Sequence, residues 1–453
     1  MTELCDAHGL RLSLDAPEVR DRWDQMVSAF LRHCRSTPDH LGAVLEAAPH
    51  FALGWAAKGL FTLLLGRHEL TPIAQEAHRR ATEAMAVASA TAREAAYVAA
   101  LDAWLKGRPS ESAEILARQL EATPGDALAM KLDHAIRFVL GDRHGMMRQI
   151  ATVLPAYGED HPAQGYALGC EAFAREEMGD YTAAEAAGRR AVDIAADDAW
   201  GLHAVAHVYD MTAQNRTGIA WLSEQTSNWS HCNNFGAHVW WHLALFHLDE
   251  GEIDRVLALY DTHVRAEHTD DYRDIANGAS MLARLEIEGV DVGKRWYELA
   301  ALAAGRVETG CVVFADLHYL LALGGVGRDA DATRLVDRLS ADAARTDHDM
   351  HEVAAVAGHP AAVGLTAFRS GAYDLAFDRL RSVRSKLQRV GGSHAQRDVF
   401  SRLMIEAGIR AGRWTEAEQE LRARAQRRGA EDGFTERRLS SISRARAKWI
   451  AAE

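Results

Sequence analysis

Proline is scarce in this sequence, with 9 among 453 residues, and stretches that alternate polar and apolar residues with period two are hard to find. Few prolines favour long helices, and the missing alternation argues against a large β-sheet. The cysteines Cys5, Cys34, Cys170, Cys232 and Cys311 form no CxxC pair, and there are 5 of them, an odd number. That argues against a disulfide framework or a thiolate zinc site and suits a reducing compartment. No segment reaches about 18 uninterrupted apolar residues, and the opening MTELCDAHGLRLSLDAPEVRD has no apolar h-region, so a cytoplasmic address is expected. Positive charge is in the minority: 51 Lys and Arg against 64 Asp and Glu leave a formal net charge of −13. An acidic surface repels phosphate backbones and anionic lipid, so neither nucleic acid nor membrane is expected as a partner. The common nucleotide and hydrolase signatures (GxxxxGK[ST], GxGxxG after a strand, GxSxG) are also missing.

What is present is helix-forming. The chain is 48% hydrophobic and 25% charged, enough to bury a real core, and Ala, Leu, Arg and Glu dominate. A turn signal recurs. It reads LGRHEL from Leu65, KGRPSESA from Lys106, LGDRHG from Leu140, MGDYTAAEAA from Met178 and AQNRTGIAWL from Ala213. It continues as EGEIDRVLALY from Glu250, EGVDVGKRW from Glu288, GGVGRDADATRL from Gly324, SGAYDLAF from Ser370 and AGRWTEAEQEL from Ala411. A spacing of about 40 residues is that of helix–turn–helix repeats. In all copies but AQNRTGIAWL a Gly is expected to end one helix at positive φ, and a small residue to open the next where two helices pack closely.

The expected fold is therefore all-α, a tetratricopeptide-like solenoid of stacked helix pairs. Residues 1–45 read as a helical N-terminal cap, 46–430 as one continuous array and 431–453 as a C-terminal capping helix. The locally basic stretch from Arg422 to Lys448 reads as the solvated face of that cap.

The most unusual stretch is Trp200 to Asp249. WGLHAVAHVYDM places His203 and His207 four apart on one helical face, with Asp210 three further on. AHVWWHLALFHLDEG repeats the arrangement with His238 and His242, and sets Trp241 beside them. If the two helices are neighbours, four imidazoles converge. Three readings remain open at this level: hydrogen-bonded core histidines, metal ligands, or the wall of a pocket for a small organic molecule. The HExxH and ExxH patterns are absent, so no metal and no cofactor is assigned. Downstream, Asp261 and His263 close one repeat. Asp316 and His318 lie in the apolar helix FADLHYLLAL, where a carboxylate needs a partner; His318 or Arg397 is expected to supply it. Gly-Gly-Ser then caps a helix that carries Ser393, Gln396, Arg397 and Asp398 in its opening turns, a place to hold a carboxylate.

The stretches DAWGLHAVAHVYDM from Asp198, HVWWHLALFHLDEG from His238 with YDTHV after it, ASMLARLEIEGVDVGKRW from Ala279, and FADLHYLLAL with GGSHAQRDVF resemble the tetratricopeptide-repeat protein 38 family. The resemblance spans most of the chain and is strongest from about Tyr166 to Phe400. It implies the helical-repeat fold and a site made of His203, His207, His238, Trp241 and His242, joined by Asp261, His263, Asp316 and His318 and by Ser393, Gln396, Arg397 and Asp398. It implies no settled activity. Two positions depart from the family pattern: Val239 stands where Asn is usual, and Asn277 where Asp is usual.

Two functions fit these residues. In the first, the protein binds a small molecule or short peptide in a pocket where Trp241, Asp261, His263, Ser393, Gln396, Arg397 and Asp398 hold the ligand. In the second, it is an enzyme in which His203, His207, His238, His242, Asp316 and His318 perform acid–base chemistry while Arg397 holds a substrate carboxylate. A homo-oligomer is compatible with either.

Overall fold

The computed structural model describes residues 4–87 and 90–451. Residues 1–3 and 452–453 of the expected caps, and 88–89 of the expected array, lie outside the described residues. The fold is all-α, built from helix–turn–helix repeats; among the described residues the only β-type pairing consists of isolated bridges. No helix among the described residues is long and apolar enough to cross a membrane.

The turn signals fold as their sequence demands. Gly66, Gly107, Gly141, Gly179, Gly251, Gly289, Gly327, Gly371 and Gly412 all take positive φ. Where the signal reads Ala-Gln-Asn, Ala213 itself adopts φ 54°, a conformation that costs a residue with a side chain about 1–2 kcal/mol.

By packing, the chain groups into two compact units whose dividing point falls inside one helix, after Val205. The first unit contains α1 (Pro17–Leu31), α2 (Thr37–Ala47), α3 (Ala52–Leu64), α4 (Thr71–Val87), α5 (Ala92–Leu105) and α6 (Pro109–Ala122). It continues with α7 (Ala127–Val139), α8 (Arg143–Val153), α9 (Gln164–Met178), α10 (Tyr181–Ile194) and the first half of α11 (Ala199–Met211). Sequential helices pack in pairs, α1 on α2, α3 on α4, α5 on α6 and α9 on α10. Trp23, Phe51, Leu60, Tyr97, Leu101, Leu132 and Phe173 form much of the core. Arg93 is buried, and its guanidinium forks onto Asp126 at 2.7 and 2.8 Å and reaches Asp6 at 2.7 Å. Such a bidentate pair fixes geometry as well as charge.

The second unit contains the end of α11, α12 (Asn215–Ser223), most of α13 (Phe235–Asp249), α14 (Ile253–Leu259), α15 (Tyr272–Ile287), α16 (Arg295–Ala304) and α17 (Val313–Gly325). Then follow α18 (Asp329–Ala343), α19 (Asp349–Val353), α20 (His359–Arg369), α21 (Tyr373–Val383), α22 (His394–Arg410), α23 (Trp414–Arg428) and α24 (Gly433–Ile450). Helix α15 is buried almost all round and packs on α16, α17 and α22. Gly218 faces the Phe246 ring so closely that a Cβ would collide with it, which lets α12 lie against α13.

The basic C-terminal stretch corrects the expectation of a solvated face. Arg424 donates to Asp398 at 2.7 and 2.8 Å and to Asp432 at 2.8 and 2.6 Å. Arg402 joins Asp398 at 2.7 Å, and Arg438 joins Glu406 at 2.8 Å. Arg428 donates to both the carbonyl and the carboxylate of Asp210. Arg424, Arg428 and Arg438 are all buried, because carboxylates on neighbouring helices and on the α11 end wait for them. A guanidinium on the last carbonyls of a helix is favourably placed, so this network clamps the helix that carries His207.

Candidate functional site

The i,i+4 spacing of His238 and His242 puts both imidazoles on one side of α13. Their rings stand edge to face at 4.8 Å, and the two Nε2 atoms are 3.3 Å apart. From α11, the His207 ring comes within 4.4 Å of the His242 ring. His207 and His242 are fully buried and His238 partly so. His203 belongs to the first unit, where its ring stacks on Phe173 at 5.7 Å. The three imidazoles of the second unit each offer a ring nitrogen within 4.8 Å of the others.

Orientation comes from α15. The Oδ1 of Asn277 lies 3.0 Å from His238 Nδ1, so Nδ1–H donates and Nε2 keeps its lone pair facing His242. Burial pushes His238 down to about 3, with His207 and Arg273 adding to the effect and the Asn277 hydrogen bond opposing it. Burial, then His207, His238 and Arg284, hold His242 well below the ordinary imidazole value. Both rings are therefore neutral at physiological pH.

Trp241 forms the wall behind them. It is fully buried, lies parallel to His238 at 5.3 Å and meets His242 edge-on at 4.9 Å. The guanidinium of Arg284, on α15, lies 5.5 Å from the indole centre. Arg284 is 1% exposed. It donates to the carbonyl of Ala395 at 2.6 Å and to Ser280 Oγ at 2.8 Å. Burial, then Arg402, lowers its pKa to about 9. Arg284 Nε, Trp241 Nε1 and Asn277 Nδ2 are buried donors with no acceptor among the described residues.

The other expected site residues are placed elsewhere. Asp261 and His263 are exposed on the π-helical turn Tyr260–Val264. Asp261 binds Arg295 at 2.8 and 2.6 Å, and His263 stacks on Trp240 at 4.0 Å. Asp316 pairs with Arg338 of α18 at 2.6 Å, not with His318 or Arg397 as expected; α18 packs on α17 and brings a cation that sequence distance hides. Burial nevertheless raises Asp316 to about 6, with Arg338 opposing. His318 gives its Nδ1–H to Phe314 O at 2.8 Å and packs against Phe400, and burial lowers it to about 3. Ser393 and Gln396 form a reciprocal capping box. Arg397 is engaged by Gln388 at 2.7 Å and by the carbonyls of Gly391 and Gly392. Burial alone would raise Asp398, but Arg424 and Arg402 outweigh it and hold it well below the carboxylate range.

Sequence reasoning missed Arg284. The available signal was a charge inside an otherwise apolar stretch, SMLARLEI, the same signal that drew attention to Asp316. It also missed a feature of the first unit. Lys131 of α7 is 3% exposed, with its Nζ 4.9 Å from the Trp200 ring centre. Trp200 contacts Phe173 at 4.6 Å and His203 at 5.1 Å. Burial raises Asp198 to about 7, with Lys131 opposing.

No protein-family model matches the chain. Among solved structures it is similar to a chain from Naa15/Naa10 bound to HypK-THB, at 11% identity and a TM-score of 0.25, over 90% of this chain. It spans 64% of that chain, less than two thirds of its length. A likeness this weak says nothing about activity or partners.

Proposed function

We propose that this chain is a ligand-binding helical-repeat protein whose second unit encloses a small molecule bearing acceptor oxygens, carboxylate or carbonyl, against α13 and α15. The observation that carries this reading is the set of three orphaned donors, Arg284 Nε, Trp241 Nε1 and Asn277 Nδ2. Each buried donor left unsatisfied costs about 1–3 kcal/mol, and a guanidinium costs more. A bound acceptor group offsets that cost and gains an indole wall. The carboxylate-holding role assigned to Arg397 passes to Arg284, because Arg397 is engaged by main chain and Gln388. Of the four stretches that resemble the tetratricopeptide-repeat protein 38 family, three lie on α11, α13 and α15, while the most specific, with GGSHAQRDVF, lies on α17 and α22.

Acid–base catalysis is the weaker alternative. A base is most effective when its pKa lies near working pH, and His238 is held at about 3.

The test is native mass spectrometry of the full chain purified without denaturant. The expected result is an organic adduct that Arg284→Gln loses while circular dichroism stays unchanged. A wild-type chain without organic adduct, and a high-resolution map with only water on the three donors, would overturn the reading.

A further inference from the structure

The imidazole centre shares Asn277 and Trp241 with the donor set, but its geometry points to a different ligand. We propose that His207, His238 and His242, all in the second unit, bind a single divalent transition-metal ion of the zinc type. This departs from the expectation of a metal-free site and does not depend on the organic ligand.

Three observations carry it. First, nitrogens bound to one ion at about 2.0–2.1 Å in a tetrahedron lie about 3.3 Å apart. The Nε2 atoms of His238 and His242 are already 3.3 Å apart. That is long for an N–H···N hydrogen bond and fits a tetrahedral edge. The His207 ring lies 4.4 Å from the His242 ring, so closing on an ion requires side-chain shifts of about 1 Å rather than backbone movement. Second, the tautomer is set. Asn277 accepts from His238 Nδ1 at 3.0 Å, the outer-shell contact that fixes the ring and aims Nε2 at His242. Third, the three histidines of the second unit offer nitrogen alone. Imidazoles select zinc, copper, nickel or iron, whereas magnesium and calcium demand oxygen.

The local charge limits which state is stable. Arg273 and Arg284 both act on these rings, so an added dication is partly opposed. Three histidines plus a bound hydroxide lower the net charge, which favours an open coordination position over a closed one.

The experiment uses the full chain. It is stripped with a chelator, dialysed, and titrated with Co2+ or Zn2+ alone. The expected result is one ion per chain by elemental analysis, a Co2+ spectrum of tetrahedral type, and about three nitrogen neighbours at about 2.0 Å by X-ray absorption. His242→Gln should abolish the spectrum, and Asn277→Ala should weaken affinity about 10–100-fold. His318→Gln, outside the centre, should leave both intact. The X-ray absorption measurement needs no variant, so it decides the matter even if His242→Gln does not fold. No saturable Co2+ binding, or an oxygen-only coordination shell, would overturn the proposal. Metal bound without an organic adduct would support this site and reject the ligand reading. An adduct lost in Arg284→Gln, from a chain that never binds metal, would do the reverse.

Discussion

Replacing Asn277 with alanine removes the oxygen that accepts the His238 Nδ1–H at 3.0 Å. The lost hydrogen bond is worth about 1 kcal/mol, and the donor left buried without a partner adds about 1–3 kcal/mol. Asn277 is 1% exposed, so no bulk water reaches the gap to compensate. The same change removes the buried Nδ2 donor that has no acceptor, which returns about 1–3 kcal/mol, so the expected net destabilisation is about 1 kcal/mol, against the roughly 5–15 kcal/mol that holds a domain folded. A chain of this size does not unfold as a single step, so the appropriate assay is native-state hydrogen exchange on the amides of α15, paired with a urea titration. Opening of α15 should become easier by that amount while the amides of α5 and α6 in the first unit stay unchanged. Asn277→Asp keeps the acceptor and places a carboxylate on the imidazole, so it should raise the His238 pKa from about 3, a shift that NMR reads directly. A loss below about 0.5 kcal/mol in the alanine variant would refute the claim that Asn277 orients His238.

Further outcomes follow from the same structure. Arg338→Met strands the buried Asp316 carboxylate and should cost about 3–5 kcal/mol; adding Asp316→Asn should recover most of it, and equal losses in the single and double variants would reject the pairing. His318 is buried with its folded pKa near 3, against about 6.5 unfolded. The stability tied to its neutral form is complete above about pH 6.5 and is lost as pH falls toward 3, so His318→Gln should lessen the loss between pH 7 and pH 5 by about 2 kcal/mol in urea titrations. Ala213 takes φ 54°, so Ala213→Gly should stabilise the α11–α12 turn by about 1 kcal/mol, seen as a raised melting temperature.

Much of the architecture was legible because it rests on local rules. A glycine followed by a small residue, repeated about every 40 residues, says where helices end, since positive φ and close approach are properties of a few neighbouring residues. The pairing of His238 with His242 was equally local, because four residues make one helical turn. That His207 meets them from another helix was an inference from repeat order, and the 4.4 Å ring distance places it there.

Other partners were illegible for a physical reason. Asp316 announced its need for a cation, but whether His318, Arg397 or Arg338 answered depended on which helix α17 packs against. The arginines after Arg422 read as solvated because a sequence shows charge but not the carboxylate opposite. Arg424 finds Asp398 from 26 residues away, and Arg428 finds Asp210 from 218.

The sequence by itself determined the helices, their turns and the two histidine pairs, all set by interactions within a turn or two of chain. Only the tertiary structure decided which charges are consumed in holding helices together and which donors, Arg284 Nε first among them, are left buried without an acceptor. Satisfaction of a polar group depends on what lies within about 3 Å in space, and neighbours in the chain supply only part of that.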